Sequence, residues 1–525
     1  MVMVTITKAS VAPSVNTTVV CNHLWQKYPN YFAWDPFGPY ALESIAKASV
    51  YTDINTVYYN AKNSQFRAAC AFFPGNAQQV SDVVMELNKY PDVQFALKSG
   101  GHQPAPGFSA TDGGVIISFE PNLASTVRTA DGSHFVIGMG ARWGDVYEVT
   151  SKTKQVVVGG RLAHIGVGGL TLGGGLSYYS AQYGLACDNI DNFEVVLANG
   201  SITDANRTSH PDLWWSLRGG GNQFAIVTHI TTQAHPAGID GQVWGGVRAY
   251  APEHRTALFH AITNFVREYP DPKAAVIPTF QFSPPGNLLN VTTNLMLFFF
   301  YDGPDPSDAF AEFDAIPSLT DDTQARTYLS MAQEVGGANT TGFGNSFRVN
   351  TVPNLPEDQM VKFFEKYYDT TYSQSLNDNL TNLDVQLMGF DPQPLSVRIQ
   401  KASQAQGGNA LGLDPANGDR VWIENDFMWL NSLCDDSCPE YSREVSDQLL
   451  AYQKATYPGV PPTNYQSGDI EFTNYNPIFM NDAAPYQDVY ASYGWKNLAK
   501  LKAVKAVYDP NGFFTNRQGG FKLSL

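Results

Sequence analysis

From Gly159 to Gly175 the chain reads Gly-Gly-Arg-Leu-Ala-His-Ile-Gly-Val-Gly-Gly-Leu-Thr-Leu-Gly-Gly-Gly, an apolar stretch interrupted by glycine every few positions. A helix interior is excluded on this pattern, because each glycine there costs roughly 1 kcal/mol relative to alanine. Backbone this bare points to something that approaches it closely. The stretch lacks the Lys-Ser/Thr ending of a phosphate-binding P-loop. No Gly-x-Gly-x-x-Gly opens an amphipathic helix with an acidic residue about twenty positions on, so the dinucleotide reading fails as well.

Three further segments share this character. Upstream lies Lys98-Ser-Gly-Gly-His-Gln-Pro-Ala-Pro-Gly-Phe-Ser109. The amides of Ser99, Gly100, Gly101 and His102 are able to form an anion-binding concavity, with Gln103, Gly107, Phe108 and Ser109 continuing the bend. Alone, this loop is also compatible with an ordinary surface turn. Downstream, Leu217-Arg-Gly-Gly-Gly-Asn-Gln-Phe-Ala-Ile-Val-Thr228 carries a glycine turn into a strand containing Ile226. At the C-terminus a helix from Trp495 ends at Tyr508-Asp509-Pro510-Asn511-Gly512.

The remaining periodicities suggest an α+β chain. Val80, Val83, Val84 and Leu87 fall on one face of a helix over 77–90, and Phe95-Ala96-Leu97 reads as the strand that delivers the Lys98–Ser109 loop. Strands are expected over 114–118, 134–140 and 155–158, with a helix over 142–152 and a hairpin turning at Asn199-Gly200. From about Gly238 the glycine clusters stop. Strands over 291–301, 383–390 and 420–430 alternate there with helices, one of which carries Met360, Phe363, Phe364 and Tyr367 with Pro356 in its first turn. The run Met296 to Phe300 reads as strand buried on both faces rather than a cofactor box.

With 525 residues, 43% hydrophobic and 13% aromatic, the chain is long and apolar enough for two cores. A formal charge of -16 and the lack of a basic cluster argue against nucleic acid and anionic membranes, and no apolar run is long enough to span a bilayer. Met1-Val2-Met3-Val4-Thr5 shows no leader pattern, so a secretion signal is absent or has been removed. Sequons at Asn16, Asn199, Asn206, Asn290, Asn339 and Asn379 favour secretion modestly, and the Asn199 sequon loses weight because it falls in the expected turn. Of the five cysteines, Cys434 and Cys438 are placed to close a small loop, Cys21 to reach Cys70, and Cys187 to remain free; no second ligand pair supports zinc.

Four ordered motifs, spanning roughly 60–235 and 470–525, make the chain resemble the FAD-linked oxidases of the vanillyl-alcohol-oxidase type, in the berberine-bridge-enzyme-like branch, and most of all their secreted fungal members. The resemblance implies a two-domain, PCMH-type FAD-binding fold. Residues 1–237 would form the FAD-binding domain from two α/β subdomains, 238–467 a substrate domain with an antiparallel sheet covered by helices, and 468–525 a segment returning to the first. It implies FAD held through an 8α bond to His102. The position at which many relatives carry a second, cysteinyl attachment is Leu162, so one bond is expected. Ser99, Gly100, Gly101, Gln103, Gly107, Phe108, Ser109, Gly160, Gly166, Gly169, Leu172, Gly173, Gly174, Asp188, Asn189, Ile226 and Asn481 are the expected cofactor contacts. Ile165 corresponds to an oxygen gate.

Where relatives commonly show Tyr-x-Asn-Tyr, this chain has Phe479-Met480-Asn481-Asp482. Asp482 thus replaces a tyrosine, and a carboxylate enclosed beside flavin would have its pKa raised, which suits a general base; the alternative is a turn cap. His164 is a candidate for a polar contact to substrate or flavin, or a hydrogen-bonded loop histidine. Tyr178, Tyr179, Gln386 and Asn425 are weaker pocket candidates. The expected activity is oxidation of CH-OH or CH-NH on a small organic substrate, with O2 as acceptor, by a monomer. Carbohydrate oxidation, a dehydrogenase with another acceptor, and a flavoprotein that binds or cyclises a metabolite without net redox turnover are the alternatives.

Overall fold

Asn76 starts the helix Ala77–Asn88 by accepting a hydrogen bond from the Gln79 amide at 2.9 Å, and Val80, Val83, Val84 and Leu87 are buried on one face. The cap is worth about 1 kcal/mol and each buried aliphatic side chain ~1.5–3 kcal/mol, so burial decides where this helix sits. The computed structural model describes residues 11–523 apart from 39, 41–46, 286–292, 335–341, 378–379, 381–383, 431 and 472–474. Sequons Asn290, Asn339 and Asn379 lie outside the described residues.

The helix leads into the strand Phe95–Lys98, which ends at the Ser99-Gly100-Gly101-His102 turn. This is the edge of a four-stranded sheet ordered Phe32–Trp34, Cys70–Phe72, Val115–Ser118, Phe95–Lys98, in which the last three strands are parallel. The Cys21–Cys70 disulfide ties the helix Val15–Lys27 to this sheet, and Cys187 is free and buried. A second sheet, antiparallel throughout, runs Thr126–Arg128, His134–Gly138, Ile226–Gln233, Ile190–Val196, Ile202–Asn206. Its last pair is the hairpin expected around Asn199-Gly200, with Gly200 at φ +84°.

The third sheet has eight strands, all antiparallel. Its path is Ser318–Asp321, Gln242–Tyr250, Thr293–Tyr301, Ala274–Phe282, Val385–Leu395, Arg420–Trp429, Gly344–Pro353, with Gln324–Thr327 also paired to Gln242–Tyr250. The helices Glu357–Ser375 and Cys434–Thr456 pack against it, the latter carrying the Cys434–Cys438 disulfide in its first turn. Met360, Phe363, Phe364 and Tyr367 form the buried face of Glu357–Ser375, with Pro356 at its N-cap, one position before the first turn. The C-terminal segment returns to the first part of the chain. Tyr490 and Tyr493 donate to the carbonyls of Gly220 and Gly219 at 3.1 Å each, and the Leu523 amide donates to Gln223 Oε1 at 3.0 Å.

Two expectations change. Glycine does enter a helix: Val167–Leu172 is helical and contains Gly168 and Gly169. It spans six residues, so the propensity cost is small beside the close contact it permits, a Cβ at Gly168 standing 3.1 Å from Ser99 Cβ. The strand Thr293–Tyr301 is only partly buried on its second face. Leu295, Leu297 and Phe299 lie in the core, whereas on the other face Met296 and Phe298 are half-buried and line a cavity and only Phe300 is buried.

A fully buried ion pair, Asp188 with Arg218 at 3.0 Å, ties the turn before Ile190–Val196 to the glycine turn at 219–221. Arg218 also donates to the Cys187 carbonyl at 2.9 Å. Arg218→Met strands the buried carboxylate and is expected to destabilise the protein by about 3–5 kcal/mol, read as a lower midpoint in denaturant unfolding.

Candidate active site

The turn after Phe95–Lys98 and the start of the helix Val167–Leu172 touch backbone to backbone. A Cβ at Gly100 would stand 2.5 Å from the Gly166 nitrogen, and one at Gly166 would stand 2.6 Å from Ser99 Oγ. Ser99 fastens the junction by donating to the Met139 carbonyl at 2.6 Å and accepting from the Gly168 amide at 3.2 Å. Beside this junction opens a cavity of about 770 Å³. Gly169 faces open space, and Ser109 Oγ lies buried in the lining with no hydrogen-bond partner among the described residues.

His102 enters the cavity from the turn, its ring 4.2 Å from that of Tyr59 and 5.2 Å from that of His164. Burial, with His164 and Arg142 nearby, pushes its pKa down to about 3, so the imidazole is neutral and keeps a lone pair. Burial and Arg142 lower His164 as well. The His164 carbonyl accepts from Arg142 Nη1 at 2.6 Å. Leu162, Ile165 and Arg161 follow along the same wall.

Facing them is a group of carboxylates. Asp391 and Glu424 are directly opposed across the strands Val385–Leu395 and Arg420–Trp429, and Asp426 lies two residues beyond Glu424, opposite Gly389. Gly389 makes the room: a Cβ there would reach inside contact distance of Asp426 Oδ1. Asp482, from the turn Met480–Asp482, completes the group and is 8% exposed. Burial raises the pKa of all four, Asp426 to about 6, and Arg161 opposes the rise at Asp391, Glu424 and Asp482. Four acids with one arginine among them cannot all be ionised at neutral pH.

The structure brings Ser99, Gly100, Gly101, His102, Gln103, Phe108, Ser109, His164, Ile165, Gly166, Gly169, Leu172, Gly173, Tyr178, Asn481 and Asp482 to this cavity. Asn481 does so as a brace. Its Oδ1 accepts from the Gly175 amide at 3.0 Å, and its Nδ2 donates to the Gly169 and Leu170 carbonyls at 3.2 Å each. Gln103 donates to the Asn481 carbonyl at 3.3 Å.

Other candidates sit elsewhere. Gly107 holds a turn at φ +79°, its amide donating to Asn63 Oδ1. Gly160 packs on the Trp143 indole and accepts from Tyr147 Oη at 2.6 Å. Gly174 bends at φ +120° among Leu185, Phe479 and Leu411. Asp188 is engaged by Arg218, and Asn189 donates to the Tyr183 and Leu185 carbonyls at 2.9 Å. Ile226, Tyr179, Gln386 and Asn425 each lie one residue out of step. Ala225 and Val227, Tyr178, Leu387, and Glu424 with Asp426 face the cavity instead. Tyr179 packs on Phe300 and Tyr328, Gln386 donates to the Asp384 carbonyl at 3.0 Å, and Asn425 accepts from Tyr367 Oη at 2.6 Å. In a strand, successive side chains face opposite ways, so an error of one residue exchanges cavity for core. Asp391, Glu424, Asp426 and Arg161 were not anticipated, although acidic residues alternating within the apolar run Arg420–Trp429 were the available signal.

Residues 68–206 match the FAD binding domain family, and residues 463–519 the family described as berberine and berberine like. The chain is 33% identical over 481 residues to an uncharacterized FAD-linked oxidoreductase of Arthroderma benhamiae, covering 89% of each chain. It is 31% identical over 493 residues to FAD-dependent monooxygenase FUP4 of Fusarium proliferatum, covering 92% of this chain and 89% of that one. The solved structure of glucooligosaccharide oxidase from Acremonium strictum, with its 6-S-cysteinyl, 8α-N1-histidyl FAD, superposes with a TM-score of 0.68 at 17% identity, over 96% of this chain and 100% of that one. Fold and cavity together define an FAD-dependent oxidoreductase of PCMH type. The chain belongs to the berberine-bridge-enzyme-like FAD-linked oxidoreductases.

The residues present fit FAD. The glycine junction leaves amides free of Cβ atoms beside the cavity, Ser109 Oγ is an unused hydrogen-bonding group, and His102 offers a neutral ring nitrogen. Among the described residues no His/Cys/Asp/Glu group is arranged to hold a metal ion, and no helix is long and apolar enough to cross a membrane.

Because the folded pKa of Asp426 is raised to about 6, the folded state binds this proton more tightly than the unfolded chain. Its stabilising contribution is complete below the ordinary carboxylate range and lost as pH rises through about 6. Asp426→Asn is therefore expected to flatten the fall of Tm between about pH 4 and pH 6, measured by calorimetry.

Proposed function

We propose that this protein oxidises a CH-OH or CH-NH group of a small organic substrate, with FAD attached through His102 alone and O2 as electron acceptor. The observation that carries the reading is a single cavity lined both by the His102 turn, with its neutral imidazole, and by Asp482 within a wall of acids. When bound in the cavity, FAD would supply the two-electron acceptor for the substrate carbon, with O2 as terminal acceptor giving H2O2. Asp482 receives the proton of the substrate O-H or N-H. Burial raises its pKa, which suits a proton acceptor near neutral pH.

Leu162 leaves no thiol for a second attachment. Ile165, beside the glycine junction, is the residue that regulates access of oxygen to the ring, and His164 contacts substrate or flavin. Residues 1–237 and 468–525 hold the cofactor and 238–467 cap it. Two disulfides and a strongly acidic composition support a secreted monomer. The name of the Fusarium relative brings in monooxygenation as the competing chemistry, which would place one oxygen atom in the product and consume an external reductant.

Acid precipitation tests the attachment. Yellow colour stays with the wild-type pellet and is released to the supernatant from His102→Ala; colour released from both discards the covalent reading. Asp482→Asn is expected to lower kcat by about 10²–10⁴-fold at unchanged flavin content. In the same wild-type assay, H2O2 released one-for-one with O2 consumed supports the oxidase, whereas labelled oxygen in the product supports the monooxygenase.

A further inference from the structure

Two residues past Asp391, on the same face of the strand Val385–Leu395, lies Gln393, fully buried. Its Nε2 donates to Asp482 Oδ2 at 2.9 Å and to Glu424 Oε2 at 3.2 Å, so one amide nitrogen spans two acids from different elements. Both oxygens lie within 3.2 Å of that one nitrogen, so the two carboxyl groups are immediate neighbours, and Glu424 acts on Asp482 to lower its pKa. Two buried carboxyl groups held this close are tolerated only when one of them carries a proton. Burial raises Glu424 well above its ordinary value, with Asp482, Asp391 and Asp426 adding to the rise, which makes Glu424 the protonated member.

We propose that Gln393 is a positioning residue that clamps Glu424 and Asp482 into a carboxylic dyad holding one proton, leaving Asp482 as its ionised, proton-accepting member. The inference rests on the reading of Asp482 as the base and adds how that carboxylate is kept ionised in a wall of acids. In the dyad two donors meet it, the Gln393 amide at 2.9 Å and the Glu424 carboxyl. Both stabilise the charged form. The proton taken from the substrate brings the dyad from one proton to two, and no further acceptor is required for this step. The other charged or titratable groups facing the pair are Asp391 from Val385–Leu395, Asp426 from Arg420–Trp429, and Arg161 from the segment ahead of Val167–Leu172.

The test uses the flavin-loaded enzyme with Gln393→Met, which keeps the bulk and removes the donor, and Gln393→Glu, which keeps the shape. A hydrogen bond to a charged group contributes about 1.5–3 kcal/mol, so losing the clamp is expected to move the acid limb of the kcat profile up by about one to two pH units in both variants. Infrared pH titration of the resting enzyme, without substrate, gives a readout independent of turnover. Carboxylic-acid C=O intensity that persists above the ordinary carboxylate range is expected in wild type and to fall by the share of one carboxyl group in Glu424→Gln, whereas unchanged intensity would overturn the protonated dyad.

A limb that stays in place while kcat falls would make Gln393 merely structural and overturn the clamp. A limb that moves down would mean that the amide oxygen faces two protonated acids, and overturns it equally. Full turnover in Asp482→Asn would instead remove the base assignment beneath it, so the two failures are separable.

Discussion

The contact between Gly100 and Gly166 is the constraint on which the site depends. Two segments more than sixty residues apart in sequence meet with their backbones in van der Waals contact, and neither position has room for a methyl group. One segment leaves the edge of the parallel sheet and carries His102; the other opens the Val167–Leu172 helix and carries His164 and Ile165 immediately before it. Separating them by a single Cβ would move the histidine turn relative to the glycine helix and deform the cavity between them. The glycine content of 159–175 therefore reflects this packing as much as the needs of a ligand. Gly159 and Gly160 are pressed against the Trp143 indole, where a Cβ would not fit.

A second constraint is electrostatic. The antiparallel sheet presents Asp391, Glu424 and Asp426 to an enclosed space in which Arg161 is the nearby cation. Such a surface is tolerable only if it retains protons, and retained protons are what a site needs when it must accept one more near neutral pH. The other acids that contribute to the charge of -16 do not serve this purpose, because they do not line the cavity. Burial, and not the number of acids, gives these four their chemistry.

Much of the fold was legible, and the reasons are physical. The Val80, Val83, Val84, Leu87 spacing defines its helix because no other arrangement buries all four, and Asn199-Gly200 marks its hairpin because the turn needs a positive φ, which Gly200 adopts at +84°. Asp482 was legible as a departure from a motif. Its partners were not. Gln386 and Asn425 lie on the correct strands but with the wrong facing, since register and parity follow from which neighbours pair, and pairing is a long-range property. Gln393 carries no local signal at all. Its meaning arises only when the turn Met480–Asp482 is laid against the sheet from about ninety residues away.

That turn couples the two constraints. Asn481 and Asp482 are adjacent in sequence, and the amide of the first is saturated by the backbone of the glycine helix while the carboxylate of the second is held by Gln393 on the cap sheet. One peptide unit thus spans the cofactor cradle and the acid wall. The separation between the Asp482 carboxylate and the glycine helix is then fixed by covalent geometry and hydrogen bonds at both ends rather than by the looser packing of one domain on another. The oxidation proposed above would need its proton and hydride acceptors held at a set spacing. With Asp482 as the proposed base, a brace and a base on consecutive residues would meet that need with the shortest link the chain allows.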